Sequence, residues 1–472
     1  MKNSPRVYIL DSQKHTPETI AVAFAKTSRS PESFDQIAAE LTDQKSAEFN
    51  EKWVVGYGHS SVAEHAVLHI AVENVSRLAV ENLESNRLAS YTEKSTRYQT
   101  WEKDAYHLPV ELLGHPLEAT FQTLCGDLFD LYARMIPLVM AVIQKTTRLN
   151  EGESDPAWHR RVRSTAVDAC RFILPAASLA NVGMTINARS LEHAISKMLS
   201  SNLAEVRTMG QNIKTCAIQI VPTLLKYAEK ITYLDTVTDK VNTTPCSTTP
   251  QSSDWCHLVD FDTNAENKIL AAALFRYKDI DYAQALCAVA GFTPHQKSDL
   301  ARTILGERNR FTAPLREVEH SSFTFEVTLD QGAYYEVKRH RMMTLTTQPF
   351  TPSLGFALPG VIKEAGCAPE FNQLMQRCCQ LYPQLESVSP GVGAYVLPNA
   401  FNRRFFITTN LRSAIHFVNL RAAPNAHFSV RRFAGKMAQD LQRVLPSFAP
   451  YLFTETGETW QSIQDNYFSQ TM

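Results

Sequence analysis

The sequence contains no apolar run approaching the roughly 20 residues that cross a bilayer, which excludes a helical membrane protein. Its first residues, MKNSPRVYILDSQ, hold only four consecutive apolar positions, Val7 to Leu10, too few for a secretory leader. None of the nine cysteines forms a C-x2-C pair, and their spacing is irregular. Cys378 and Cys379 are adjacent, while Cys246 and Cys256 lie in a polar stretch. That pattern argues against structural zinc or a disulfide framework, so no metal is expected and reduced thiols in a cytoplasmic setting are. An excess of charge is missing too. The net charge of −1 gives no whole-molecule attraction to nucleic acid or to a membrane surface.

What is present is ordinary globular material, 44% hydrophobic and 20% charged, in 472 residues. That length exceeds one core and implies two or three domains. From Thr236 to Asp254 the chain reads TVTDKVNTTPCSTTPQSSD, poor in apolar residues and dense in Thr, Ser and Pro. Composition makes it a linker. The expected division is a unit over 1–235, a linker over 236–262 and a second unit over 263–472.

Patterning places a short strand at Val7 to Leu10, a helix from Pro17 to Lys26 and another from Ser33 to Ala47. A strand is expected over Val67 to Val72, followed by an amphipathic helix from Ser76 to Ser85 with Ser76 as its cap. Long helical patterns run from Leu117 to Ile143, Arg160 to Leu174 and Leu203 to Lys230. The stretch Glu84 to Tyr98, ESNRLASYTEKSTRY, sets Glu93, Ser95 and Arg97 at alternating positions. On an extended segment such residues share a face, so an acceptor, a hydroxyl and a guanidinium can converge on a sugar and a phosphate.

The chain also repeats itself. Glu64-His65 has a counterpart in Glu319-His320, and Arg87 one in Arg341, 254 residues later. Asn187-Ala188-Arg189-Ser190 with His193 matches Asn410-Leu411-Arg412-Ser413 with His416 at an offset of 223, and Leu174-Pro175 matches Leu397-Pro398 at the same offset. Such a repeat implies an internal duplication. The spacing slips in two places. Glu64 precedes Arg87 by 23 residues while Glu319 precedes Arg341 by 22, and Val206-Arg207 aligns with Val430-Arg431 at one residue more than 223.

These motifs resemble those of the flavin-dependent thymidylate synthases. Arg87, seven residues, then Ser95-Thr96-Arg97-Tyr98 looks like the end of that family's Arg-His-Arg-x7-Ser signature, whereas the intact triplet is Arg339-His340-Arg341. Tyr57-Gly58-His59-Ser60-Ser61 is similar to a loop whose His and hydroxyl lie against flavin, and Arg171-Phe172-Ile173-Leu174-Pro175 to a turn whose Arg reaches the nucleotide. The resemblance covers nearly the whole chain outside the linker and implies an α+β protein of two tandem copies, each of mixed helices with a small antiparallel sheet.

The losses are sorted between the copies. The first keeps Glu93, Ser95, Arg97 and Arg171, but has Ser85-Asn86 for Arg-His and Met198 eleven residues after Asn187. The second keeps Arg339, His340, Arg341 and, eleven residues after Asn410, Arg421, but has Thr347, Pro349, Thr351 and Ala394 where the first has Glu93, Ser95, Arg97 and Arg171. Since family members are homotetramers with sites between subunits, the resemblance implies one composite site joining the halves. It implies dUMP on Glu93, Ser95, Arg97, Arg171, Arg339 and Arg421, with Arg421 catalytic. Flavin (FAD) is expected on His59, Ser61, Arg339, His340, Arg341, Asn187, Arg189, His193, Asn410, Arg412 and His416. The implied reaction is reductive methylation of dUMP to dTMP, with methylenetetrahydrofolate as carbon donor and NADPH as reductant. No cysteine nucleophile is implied, and Cys170 reads as packing. A homodimer would supply four copies of the fold. Two other readings remain at this point: a flavin enzyme acting on another uracil-containing substrate, and a non-catalytic nucleotide-binding protein.

Overall fold

The computed structural model describes residues 5–28, 30–95, 97, 99–246, 254–309, 312–452 and 458–469. Thr96 and Tyr98 of the signature lie outside the described residues. Alternating apolar and polar positions build two antiparallel sheets. β1 (Val67–Ser76), β2 (Ala89–Glu93) and β3 (Leu179–Asn187) form the first, in the order β1-β3-β2. β4 (Cys256–Phe261), β5 (Phe323–Asp330), β6 (Thr344–Thr347) and β7 (Asn402–Thr409) form the second, in the order β4-β5-β7-β6. The fold is two tandem α+β copies.

Strand registers reproduce the sequence repeat. Tyr91 lies opposite Met184 in the first sheet, and Leu345 lies opposite Ile407 in the second, which are the 254 and 223 offsets. The one-residue slip has a physical cause. β1 bulges between Val72 and Val75, with Asn74 at φ 56°, while β5 pairs with β7 residue for residue. Asn tolerates this left-handed conformation better than most residues, and the extra residue lengthens the Glu64–Arg87 interval.

Ser76 caps the Arg77–Leu83 helix and Asp330 caps its counterpart, Gln331–Val337. Each cap also has a buried partner. Ser76 donates to Glu205, whereas Asp330 accepts from Ser429, so the hydroxyl and the carboxylate have exchanged places between copies.

The halves meet about an approximate two-fold axis. Ala176 N–H donates to Leu397 O at 2.9 Å and Asn399 N–H to Leu174 O at 3.0 Å. Farther out, Ala177 donates to Tyr395 O at 2.9 Å and Ala400 to Phe172 O at 2.8 Å. Arg87 Nε donates to Arg341 O at 2.7 Å, and Arg341 Nε donates back to Arg87 O at 3.2 Å. On the same axis Glu84 and Lys338 pair at 3.0 Å, each only 6% exposed in its side chain. A true two-fold would set like charge against like charge there.

Each half has its own core, around Ile186, Leu191 and Val206 in the first and Phe325, Phe405 and Phe433 in the second. A third core is shared. Phe121, Leu128 and Tyr132 of the Glu118–Thr146 helix pack in one cluster with Phe371, Met375 and Leu385 of the Ala368–Val388 helix.

Four expectations need correcting. The helix expected over Leu203 to Lys230 covers only Ala204–Ala217, and residues 218–227 fold into turns. Val7 to Leu10 is irregular, with Val7 and Ile9 almost fully exposed, because no strand pairs with it among the described residues. Ser33 to Ala47 is broken into Phe34–Glu40 and Asp43–Phe49, since Thr42 caps a second helix. The linker is shorter than 236–262. The Thr232–Asn242 helix crosses its expected start, and its end holds β4, whose Cys256 is buried against Val327 of β5.

Candidate functional site

Ser95 and Arg97 follow β2, Arg171 opens the 3-10 turn after the Asp155–Cys170 helix, and Arg421 ends the Leu411–Arg421 helix. The two-fold contact at Pro175 and Pro398 brings these ends together. They surround a cavity of about 160 Å³, lined by Ser95, Arg97 and Arg171 from the first half and by Glu336, Arg339 and Arg421 from the second. Five of the six expected nucleotide residues therefore share one cavity.

Carboxylates hold the guanidiniums in place. Asp168 takes Arg97 as a fork, from Nε at 2.9 Å and Nη2 at 2.7 Å, and Arg97 also donates to Asn425 O of the other half at 3.0 Å. Glu336 bridges the halves, with Oε1 on Arg171 Nη2 and Oε2 on Arg421 Nη1, both at 2.9 Å. Burial alone would raise the Glu336 carboxyl, yet Arg171 and then Arg421 hold it below its ordinary range.

Glu93, the sixth expected nucleotide residue, has a different place. Its side chain is 1% exposed and bridges Arg77 and Arg339, the latter at 2.8 Å. Burial would raise it too, but those two arginines keep it ionised. Ser95 and Arg97 do reach the cavity, but β2 ends at Glu93 and Arg97 lies in a turn, so the loop after the strand places them, whereas Glu93 turns inward to position arginines. Arg339 remains 47% exposed in its side chain.

Arg421 Nε donates to His340 Nε2 at 2.9 Å, which requires that nitrogen to carry no proton. Burial, then Arg421, then His416 push His340 down to about 3. Buried His427 sits beside Asp168 O at 3.2 Å and is likewise held well below its ordinary value, by burial and then by Arg171 and Arg97. Both imidazoles bind a proton below 6.5 when unfolded and far lower when folded. Stability is therefore fully present above about pH 6.5 and falls as pH drops below it, by about 1.4 kcal/mol per pH unit for each histidine at the limiting slope. Urea unfolding at pH 7.5 and 5.5 should show this fall, and His340→Gln, which keeps an acceptor for Arg421, should remove about half of it. An unchanged slope in that variant would refute the neutral assignment.

The expected flavin residues are dispersed within the chain. His340 and Arg341 line a second, wider cavity. Asn187 and Asn410 cap helices, each accepting from the Ser three residues on at 2.9 Å. Arg189 pairs with Glu64 and Arg412 with Glu319, an equivalent contact in each copy. His59, Ser61 and His193 lie on the exposed surface, and the His416 ring stands 5.7 Å from that of His340. None of these eight residues beyond His340 and Arg341 lines the arginine cavity.

Sequence reasoning missed Arg77, Lys94 and Asn399 in the cavity wall, and the bridging role of Glu336. Glu336 lies three residues before Arg339, so on a helix it reads as an exposed local pair. Its actual partner Arg171 is 165 residues away. An acid inside a duplicated arginine motif was the available signal.

Comparison with known proteins decides the family. The family described as "Thymidylate synthase complementing protein" matches residues 9–223 and again 257–447. The chain belongs to this family. The two matches are the two copies of the fold. Among similar proteins, a UPF0159 protein of Chlamydia muridarum is 28% identical over 440 residues, covering 89% of this chain and 83% of its own. Another from Thermoplasma acidophilum is 27% identical, covering 89% and 91%. A flavin-dependent thymidylate synthase of Geobacter sulfurreducens is 32% identical over 152 residues, covering 30% of this chain and 63% of its own. Among solved structures, the UMP/dUMP methylase PolB from Streptomyces cacaoi aligns with 43% of this chain and 95% of its own, at 17% identity and a TM-score of 0.34. Among the described residues no helix is long and apolar enough to cross a membrane, and no three His, Cys, Asp or Glu side chains group as metal ligands.

Proposed function

We propose that this thymidylate-synthase-family chain methylates dUMP reductively to dTMP at one composite site between its halves. The observation that carries this reading is the charge of the arginine cavity. Arg77, Arg97, Arg171, Arg339 and Arg421 face three carboxylates, Glu93, Asp168 and Glu336, an excess of two positive charges before Lys94 is added. That excess suits the dianion of a nucleoside monophosphate, and guanidinium forks suit its oxygens.

Arg97, Arg171 and Arg339 bind the phosphate with Ser95, while Glu93 and Asp168 act as positioning residues. Arg421, fixed by Glu336 and His340, stabilises negative charge that builds on a pyrimidine carbonyl as C5 reacts. Arg339, His340 and Arg341 would hold FAD, the exposed Met342 beside them offering apolar surface. Bound FAD would supply hydride chemistry, with NADPH as reductant and methylenetetrahydrofolate as carbon donor. The exposed His59, Ser61, Arg189 and His193 suit completion of the flavin site by a second chain, so a homodimer is part of the proposal.

The test is dTMP formation from dUMP with FAD, NADPH and methylenetetrahydrofolate, alongside flavin absorbance per chain after reconstitution. Turnover with about one flavin per chain is expected. Two flavins per chain would contradict the composite site, and no turnover with flavin bound would contradict the reaction.

A further inference from the structure

Main-chain bonds near the two-fold axis come in pairs, so each half serves as a control for the other. Asn399 N–H donates to Leu174 O at 3.0 Å, and Ala176 N–H donates to Leu397 O at 2.9 Å. Gly332 N–H donates to Asn399 O and Leu78 N–H to Ala176 O, both at 3.2 Å. Leu174 N–H reaches Arg171 O and Leu397 N–H reaches Ala394 O, again both at 3.2 Å. Asn399 and Ala176 are therefore one position of the fold, repeated at the offset of 223 and carrying the same main-chain bonds.

One bond has no mate. Asn399 Nδ2 donates to Arg171 O at 3.0 Å, whereas the methyl of Ala176 cannot donate to Ala394 O. The partner fixes the amide's orientation, since a carbonyl can only accept. That leaves Asn399 Oδ1 buried, with no hydrogen-bond partner among the described residues. An orphaned oxygen costs stability, and a single hydrogen bond returns little net. Alanine makes every main-chain bond at 176, so the fold has no need of asparagine at 399. The asparagine stands on the side where the arginine cavity is, and it forms part of that cavity's wall.

We infer that Asn399 is a positioning residue for the nucleotide phosphate and acts through Arg171. Arg171 opens the short 3-10 turn Arg171–Ile173, and Asn399 of the other half clamps that turn at its first carbonyl. Glu336, also of the other half, holds the guanidinium of the same residue at 2.9 Å. Arg171 is thus fixed at both ends, main chain and fork, before any ligand arrives. Such preorganisation lowers the ordering cost of binding. The inference rests on the reading that this cavity takes dUMP.

The test is calorimetric titration of dUMP into the full chain, with steady-state kinetics beside it. Asn399→Ala should raise Kd and KM for dUMP by about threefold to tenfold, the weight of one net hydrogen bond, and leave kcat near the wild-type value. Asn399→Asp keeps the size but, ionised, can only accept, and should weaken binding at least as much. In an Arg171→Gln chain, Asn399→Ala should add under about twofold, because the group it positions is gone. Unchanged affinity in both Asn399 variants, a loss confined to kcat, or full additivity with Arg171→Gln would each overturn the inference and leave the dUMP reading intact. A wild-type chain that binds no dUMP would overturn both.

Discussion

Replacing Arg421 by alanine should lower kcat by roughly 10²–10³-fold, although the residue lies in the opposite half from Arg97 and Ser95. Charge on a pyrimidine carbonyl grows only as C5 reacts, so losing the cation removes stabilisation found mainly in the transition state. Arg97→Ala should act differently. Its expected partner is a phosphate present in ground and transition states alike, and losing such uniform binding raises KM more than it lowers kcat. The aligned residues are the controls. Thr351→Ala removes only a hydroxyl that caps the short Pro352–Leu354 turn, and its kinetics should match the wild type. Met198 is fully buried, and truncating it to alanine would open a core cavity, so Met198→Leu is the kinetic control. Steady-state kinetics on the four variants check the set. Equal effects at aligned positions, Arg97 with Thr351 and Arg421 with Met198, would contradict the composite site.

Glu84→Lys should destabilise the fold by about 3–5 kcal/mol, the usual cost of leaving a buried charge without its partner. The substitution sets two lysines on the two-fold axis, with Lys197 close enough to Lys338 to add to the repulsion. Lys338→Glu alone should do similar damage by pairing two carboxylates. The double exchange, Glu84→Lys with Lys338→Glu, should recover most of the loss, because the axis accepts the pair in either orientation. Urea denaturation of the three variants measures this as a double-mutant cycle, with an expected coupling of several kcal/mol. Additive losses would mean that the pair is incidental to how the halves join. A fused chain can place opposite charges on such an axis, whereas a homodimer must repeat one residue.

Much of this was legible from spacing. The offsets of 254 and 223 reappear as strand registers, and the sorted losses predict which half supplies which arginine. Local chemistry was legible too: Ser76, read from the sequence as a helix cap, accepts from Ala79 N–H at the start of its helix. Contacts between distant carboxylates and arginines were not. Glu336 meets Arg171 and Arg421 only after the halves dock, and nothing in the order of residues shows that docking. Alternation placed Glu93, Ser95 and Arg97 on one face, but Glu93 sits where the strand ends and faces two buried guanidiniums. The four apolar residues Val7 to Leu10 satisfied strand propensity, and propensity without a pairing partner leaves them irregular.

Mixing purified Arg97→Ala and Arg421→Ala chains, with time for subunit exchange, tests most directly whether the live site lies within one chain. Asn425 beneath Arg97 and Glu93 beneath Arg339 join the two halves of the same chain. Every site in the mixture then carries one of the two lesions, and dTMP formation should stay at the level of the separate variants. Recovery of about one working site per mixed dimer would show that the halves meet between chains, and would contradict the account.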